Sequence, residues 1–223
     1  MGQAVVVNAD IRNCFASVRW PLVLGALRRE LGHSLSPAAL SLLVDLTTAG
    51  GALPVGAPTS PALLNLVLRR TDETLHSSAE SAGLRYTRYA DDLTFSGNSQ
   101  AVSLLRLAER TLAQIGLTLD PAKTNVFRRG RRQMVTGLVV NDQVSVPRAA
   151  RRRLRAAVHR VELKEQPHWD GQPQSMAALR GRLAFVAMVC KPQAQPLFNR
   201  LQTALAAKDR PDSEPPSPEG SLA

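Results

Sequence analysis

The chain has 223 residues, 44% of them hydrophobic, and a net charge of +10 from 28 Lys and Arg against 18 Asp and Glu. That length and apolar content fit one sizeable domain, or one with a small appendage, and exclude a wholly disordered chain. No apolar run approaches the roughly 18 residues of a membrane span, the start MGQAVVVNAD lacks a secretory leader's pattern, and two cysteines make no disulfide framework, so a reducing cytoplasm is expected.

In chain order, VVVNAD, ending at Asp10, reads as a buried strand. Trp20–Leu31 has helical spacing. SPAALSLLVDL opens a second helix, with Ser36 as N-cap and Pro37 in the first turn. TTAGGALPVGAPTSP is a Gly/Pro loop feeding a long helix, which Ser60 is expected to cap and Gly83 to end. LRYTRYADDLTFSG reads as strand, tight turn and strand, with Asp91 and Asp92 at the bend. Ser99–Ile115 is amphipathic and closes at Gly116; TNVFRRGRRQMVTGLVV reads as two strands around Gly130. From Pro147 the chain becomes helical, interrupted by the polar stretch Lys164–Gln174. The expected organisation is an α+β domain over 1–146 with helices on one face of an antiparallel sheet, a small helical module over 147–207, and a disordered Pro/Ser/Glu-rich tail over 208–223.

The basic charge is not evenly spread. Between Lys123 and Arg160 lie eleven basic residues, including Arg128, Arg129, Arg131, Arg132, Arg148, Arg151, Arg152, Arg153 and Arg155, against the single acid Asp142. A solvated face normally mixes signs, so this window points to a polyanion such as nucleic acid. Against that background Asp10, Asp91 and Asp92 stand out. An Asp-Asp pair alone is an ordinary turn signal. If the two strands are neighbours, however, three carboxylates meet at one sheet edge, where their repulsion calls for a cation. Hard oxygen donors suit Mg²⁺, and two such ions serve phosphoryl transfer.

The motifs around these residues carry a resemblance. YADD at Tyr89–Asp92, NADIRNCFASV, LPVGAPTSPALLNL, GLTLDPAKTNVF and MVTGLVVN, in that order, resemble the motifs of reverse transcriptases, and MVTGLVVN followed by a basic helix resembles the retron branch. The resemblance implies a polymerase palm followed by a helical thumb, and RNA-directed DNA synthesis from dNTPs. It implies two Mg²⁺ ions, with Mn²⁺ as a possible substitute, held by Asp10, the Ile11 carbonyl, Asp91 and Asp92. It places Phe15 under the sugar as a gate against the ribose 2′-hydroxyl, and Gly56, Ala57, Pro58 and Asn65 at the nucleotide. Lys123 would serve the departing pyrophosphate. Arg128, Arg129, Arg131 and Arg132, the region of Thr136 and Gly137, and Arg148, Arg151, Arg152, Arg153 and Arg155 would hold RNA template, RNA/DNA duplex and a cognate structured non-coding RNA. The resemblance also implies an antiphage system with an effector protein.

The sequence departs from the pattern at Val55, where the family usually has Gln, and at Cys14 and Ala16, which replace a usual Phe and Pro. Only nine residues precede Asp10, so the N-terminal fingers region of the family is expected to be missing, or supplied in trans by a separate chain. A truncated, inactive relative acting as an RNA-binding module is the alternative expectation.

Overall fold

The computed structural model describes residues 1–208. The chain divides into two compact units, Met1–Thr136 with Val140–Asp142, and Gly137–Val139 with the residues from Gln143 onward. The expected disordered tail lies, from residue 209, outside the described residues.

The first unit is built on a four-stranded antiparallel sheet. Its strands are β1 (Val5–Ile11), β2 (Arg85–Tyr89), β3 (Asp92–Gly97) and β4 (Leu119–Arg128), in the order β2-β3-β1-β4. The side-chain period of two sorts the residues of β1 and β3. Val5, Val7, Ala9 and Ile11, with Leu93 and Phe95, belong to one hydrophobic core with Leu64, Leu68 and Leu75 of a long helix. Asn8, Asp10, Asp92 and Thr94 alternate onto the other face. Five helices accompany the sheet: α1 (Cys14–Ser17), α2 (Trp20–Leu31), α3 (Pro37–Thr47), α4 (Ser60–Ser81) and α5 (Leu104–Ala113). The α+β class expected from the sequence holds.

Local chemistry explains the element ends, and corrects three expectations. Ser36 does cap α3, accepting from the Ala39 amide at 3.2 Å. Ser60 does not cap α4. Its hydroxyl is buried and donates to the Pro54 carbonyl at 2.7 Å, because the folded-back LPVG loop leaves that oxygen without another partner among the described bonds. Gly83 ends α4 at φ +66°, letting the Leu84 amide reach back to Ala79 at 2.8 Å. The amphipathic stretch from Ser99 begins as a 3-10 turn, Ser99–Ser103, capped by Asn98, and only then becomes α5. The expected second strand after Gly130 is split into β5 (Met134–Val135) and β6 (Leu138–Val139), because Thr136 and Gly137 both take positive φ (46° and 82°).

In the second unit, α6 (Arg148–Glu162), α7 (Met176–Val189) and α8 (Lys191–Lys208) surround a small core of their own. Leu154 and Val158 of α6 pack with Leu183 of α7 and Leu201 of α8. The polar stretch Lys164–Gln174 holds a two-residue hairpin, β7 (His168–Trp169) against β8 (Gln172–Pro173), turned at Asp170 and Gly171 with positive φ.

Candidate active site

The site grows from cross-strand register. Asp10 is the direct partner of Asp92 across β1 and β3, so their side chains share the sheet face opposite the helical core. The β2–β3 hairpin closes through Ala90 and Asp91, with Tyr89 opposite Asp92. Ala90 sits at φ +51°, a conformation normally left to Gly, Asn or Asp. The Ile11 amide donates to the Asp91 carbonyl at 3.0 Å, which ties the turn to the end of β1.

Asp10 is nearly buried, with its side chain 10% exposed, whereas Lys123 is 62% exposed and places Nζ 2.7 Å from Asp10 Oδ2. Lys123 reaches Asp10 because β4 is bulged between its contacts with Asn8 and Asp10. The bond to Asp10 raises the Lys123 ammonium above its ordinary value. Burial raises the Asp92 carboxyl, and the negative charges of Asp91 and Asp10 raise it further. Burial, followed by the charge of Asp91, pushes the Cys14 thiol up to about 12, so it remains protonated and offers no thiolate.

Among the described residues, no group of three or more His, Cys, Asp or Glu side chains is already arranged to hold a metal ion. Asp10 and Asp92 are adjacent in register, and Asp91, in the adjoining turn, is anchored through its backbone carbonyl and acts on Asp92 through its charge. Lys123 supplies a counter-charge to Asp10 at the edge of this cluster. The donor set fits a hard divalent cation, being all carboxylate oxygen at a place where accumulated negative charge already raises Asp92.

The other expected residues fall around this centre or on the second unit. Phe15 is half-buried on α1, packed against the core five positions after Asp10. Gly56 has φ +86° and open space where a Cβ would stand, so the loop Gly56-Ala57-Pro58 has room for a close approach by another molecule. Asn65 is exposed on α4 and accepts from Arg88 at 3.1 Å. Arg128, Arg129, Arg131 and Arg132 are all exposed around the turn after β4. Arg148, Arg152 and Arg155 are exposed on α6. Arg153 is exposed too and pairs with Asp170 at 2.9 Å, and Arg151 is half-buried.

Three residues near the centre escaped the sequence reading. Asp120 on β4 is in register with Asp10, and its carboxylate accepts from the Ala122 amide at 3.0 Å. Arg88 and Asp72 pair beneath the aspartate turn. The signal for Arg88 was present in RYTRY, where alternation sends Tyr86 and Arg88 to the same side of β2.

An antiparallel sheet backed by helices, with aspartates presented from its central strand and the adjoining hairpin, is the palm of a nucleic-acid polymerase. The chain belongs to the family described as reverse transcriptase (RNA-dependent DNA polymerase), whose pattern matches residues 2–151. It is 38% identical to the retron Mx162 reverse transcriptase of Myxococcus xanthus, over 84% of this chain and 45% of the relative. It is 39% identical to the retron Mx65 reverse transcriptase of the same organism, over 90% and 50%, and 31% identical to the retron Ec86 reverse transcriptase of Escherichia coli, over 85% and 57%. The chain thus spans about half the length of these curated relatives. Among solved structures it shares its fold with telomerase from Candida albicans, in a structure with a fragment of telomeric RNA. The TM-score is 0.54 at 10% identity, covering 93% of this chain and 42% of the other. Apo telomerase from Candida tropicalis matches at TM-score 0.51 and 11% identity, over 64% and 35%.

Proposed function

We propose that the chain carries the catalytic palm and thumb of a retron-type RNA-directed DNA polymerase, extending a primer with dNTPs on an RNA template. The observation that carries this reading is the register of Asp10 against Asp92, with Asp91 in the adjoining turn and Lys123 at 2.7 Å from Asp10. In the reaction, the primer 3′-oxygen forms a bond to the α-phosphorus of the dNTP, the bond to the β-phosphate oxygen breaks, and pyrophosphate leaves.

Asp10, Asp91 and Asp92 would hold two divalent ions, Mg²⁺ or Mn²⁺, which when bound supply charge neutralisation and activation of the attacking hydroxyl. The protein's own groups do the rest. Lys123 carries a proton and a positive charge beside Asp10, placed for the departing pyrophosphate. Phe15 fills the space under the sugar, and Gly56 lets backbone approach the nucleotide. The exposed arginines Arg128, Arg129, Arg131, Arg132, Arg148, Arg152 and Arg155 grip phosphate without reading sequence. A cognate structured RNA contacting Thr136 and Gly137, cytoplasmic residence, and an antiphage role with an effector protein belong to the same reading, as does a fingers segment supplied with or beside this chain.

The test is primer extension on an RNA template with Mg²⁺ and labelled dNTPs, run beside Asp91→Asn. Synthesis by the wild type, reduced at least about a hundredfold in the variant while RNA binding is retained, supports the proposal. RNA binding indifferent to both Mg²⁺ and the substitution, without synthesis even when the upstream part of a retron relative is added in trans, would instead identify an RNA-binding module.

A further inference from the structure

The aspartate turn is held from below by a half-buried charge network that the polymerase reading does not require. Arg88 has a side chain only 7% exposed. Its Nε donates to Asp72 Oδ1 at 2.9 Å and its Nη2 to Asp72 Oδ2 at 2.5 Å, a two-pronged grip on α4. Its Nη1 donates both to the Ala90 carbonyl at 2.8 Å and to Asn65 Oδ1 at 3.1 Å. The Tyr86 hydroxyl donates to Asp72 Oδ1 at 2.8 Å, completing the carboxylate's partners. Burial raises the Tyr86 phenol well above its ordinary range, which keeps it a donor.

Such a pair is a poor way to gain stability alone, because desolvating two charges offsets most of their attraction. Its geometry has another consequence. Ala90 is strained at φ +51° and needs its surroundings to hold it there. The Ala90 carbonyl is fixed by Arg88, and the next carbonyl, that of Asp91, by the Ile11 amide. The peptide units leading into Asp92 are therefore anchored on both sides, one to α4 and one to β1.

We propose that Arg88, oriented by Asp72, is a positioning residue that locks the Ala90–Asp91 turn and couples it to Asn65 on α4. The Asp91 and Asp92 carboxylates are thereby presented in one fixed arrangement next to Asp10. The catalytic meaning of this lock rests on the polymerase reading; the lock itself does not. Lysine cannot replace it, since an ammonium lacks the planar fork that serves Asp72, Ala90 and Asn65 together.

The experiment is residue-resolved amide hydrogen exchange on the full chain without metal, comparing wild type with Arg88→Lys. Protection of the Ile11 amide should fall at least about tenfold, while Val5 and Val7, in the same strand, keep theirs. Equal acceleration at all three, or none at Ile11, overturns the proposal. Should Arg88→Lys unfold, Asp72→Asn keeps the side-chain volume and is read by the same three amides. A second arm follows primer extension against Mg²⁺ concentration. Arg88→Lys should need several-fold more Mg²⁺ and reach a lower maximal rate, with little change in the KM for dNTP. If the wild type extends primers and the variant keeps both its rate and its Mg²⁺ midpoint, the lock has no bearing on catalysis and the proposal falls. If the wild type extends nothing, the polymerase reading fails, and the exchange data still decide whether the lock exists.

Discussion

Lys123 and Asp10, 113 positions apart in the chain, meet at 2.7 Å on the open face of the sheet. The contact joins an exposed cation to a nearly buried carboxylate, and it puts Lys123 in competition with any cation that Asp10 binds. Lys123→Met should therefore raise the affinity for Mn²⁺ roughly two- to fivefold, the scale of an exposed ion pair. Mn²⁺ titration followed by paramagnetic resonance measures this directly. Primer extension by the same variant should fall, separating metal affinity from turnover. A variant that binds Mn²⁺ more weakly than wild type would show that Lys123 supports the site instead of competing for it.

Phe15 is half-buried against the core, so part of its side chain stays accessible. Phe15→Ala should admit NTPs, lowering the preference for dNTP by about ten- to a hundredfold, with a smaller effect on dNTP incorporation itself. Single-nucleotide incorporation with matched dNTP and NTP reads the ratio. Equal losses for both nucleotides would mark Phe15 as a packing residue.

Among the described residues, the arginines of α6 divide by whether they hold a carboxylate. Arg152, Arg153 and Arg155 are all exposed, but Arg153 is also paired with Asp170. Arg152→Ala and Arg155→Ala should each weaken RNA binding across sequences and lower the slope of log K against log salt by about one. Arg153→Ala should change that slope less. RNA-binding isotherms at several salt concentrations test the ordering.

Glu162 joins Arg200 of α8 and His159 within the second unit, at 2.7 Å and 3.0 Å. The Arg200 bond, then His159, lowers the Glu162 carboxyl from its ordinary 4.5 to about 2. A group lowered on folding stabilises the folded state above its unfolded pKa, and that stabilisation disappears as pH falls through the folded value. The Tm difference between wild type and Glu162→Gln should thus be largest near neutrality and close between about pH 4.5 and 2. A difference independent of pH would show that the ion pair does not hold this unit.

Much of the fold was readable because its signals are local. Ser36 with Pro37, Gly83 after α4, and the Val-rich run into Asp10 each depend on neighbours within a few positions, where the chain's own propensities decide. Ser60 shows where that reasoning stops. Its sequence context is a helix cap, but a loop carbonyl six residues back claimed its hydroxyl once Ser60 was buried. The strand after Gly130 failed for a related reason, since positive φ at Thr136 is imposed against the preference of a β-branched residue.

For the site, the sequence alone determined the candidates: paired aspartates at a hairpin, a third at a strand end, a lysine after a Gly-Leu-Thr-Leu run, and a one-signed basic window. These are statements about residue type and spacing, and they survive without coordinates. Only the tertiary structure decided the pairing. Register set Asp10 against Asp92 and brought Asp120 alongside. The bulge in β4 delivered Lys123, and the packing of β2 on α4 placed Arg88 under the turn. Register, bulges and buried charge pairs are long-range, because each joins atoms more than ten positions apart whose energies depend on shared burial, and no local propensity encodes them.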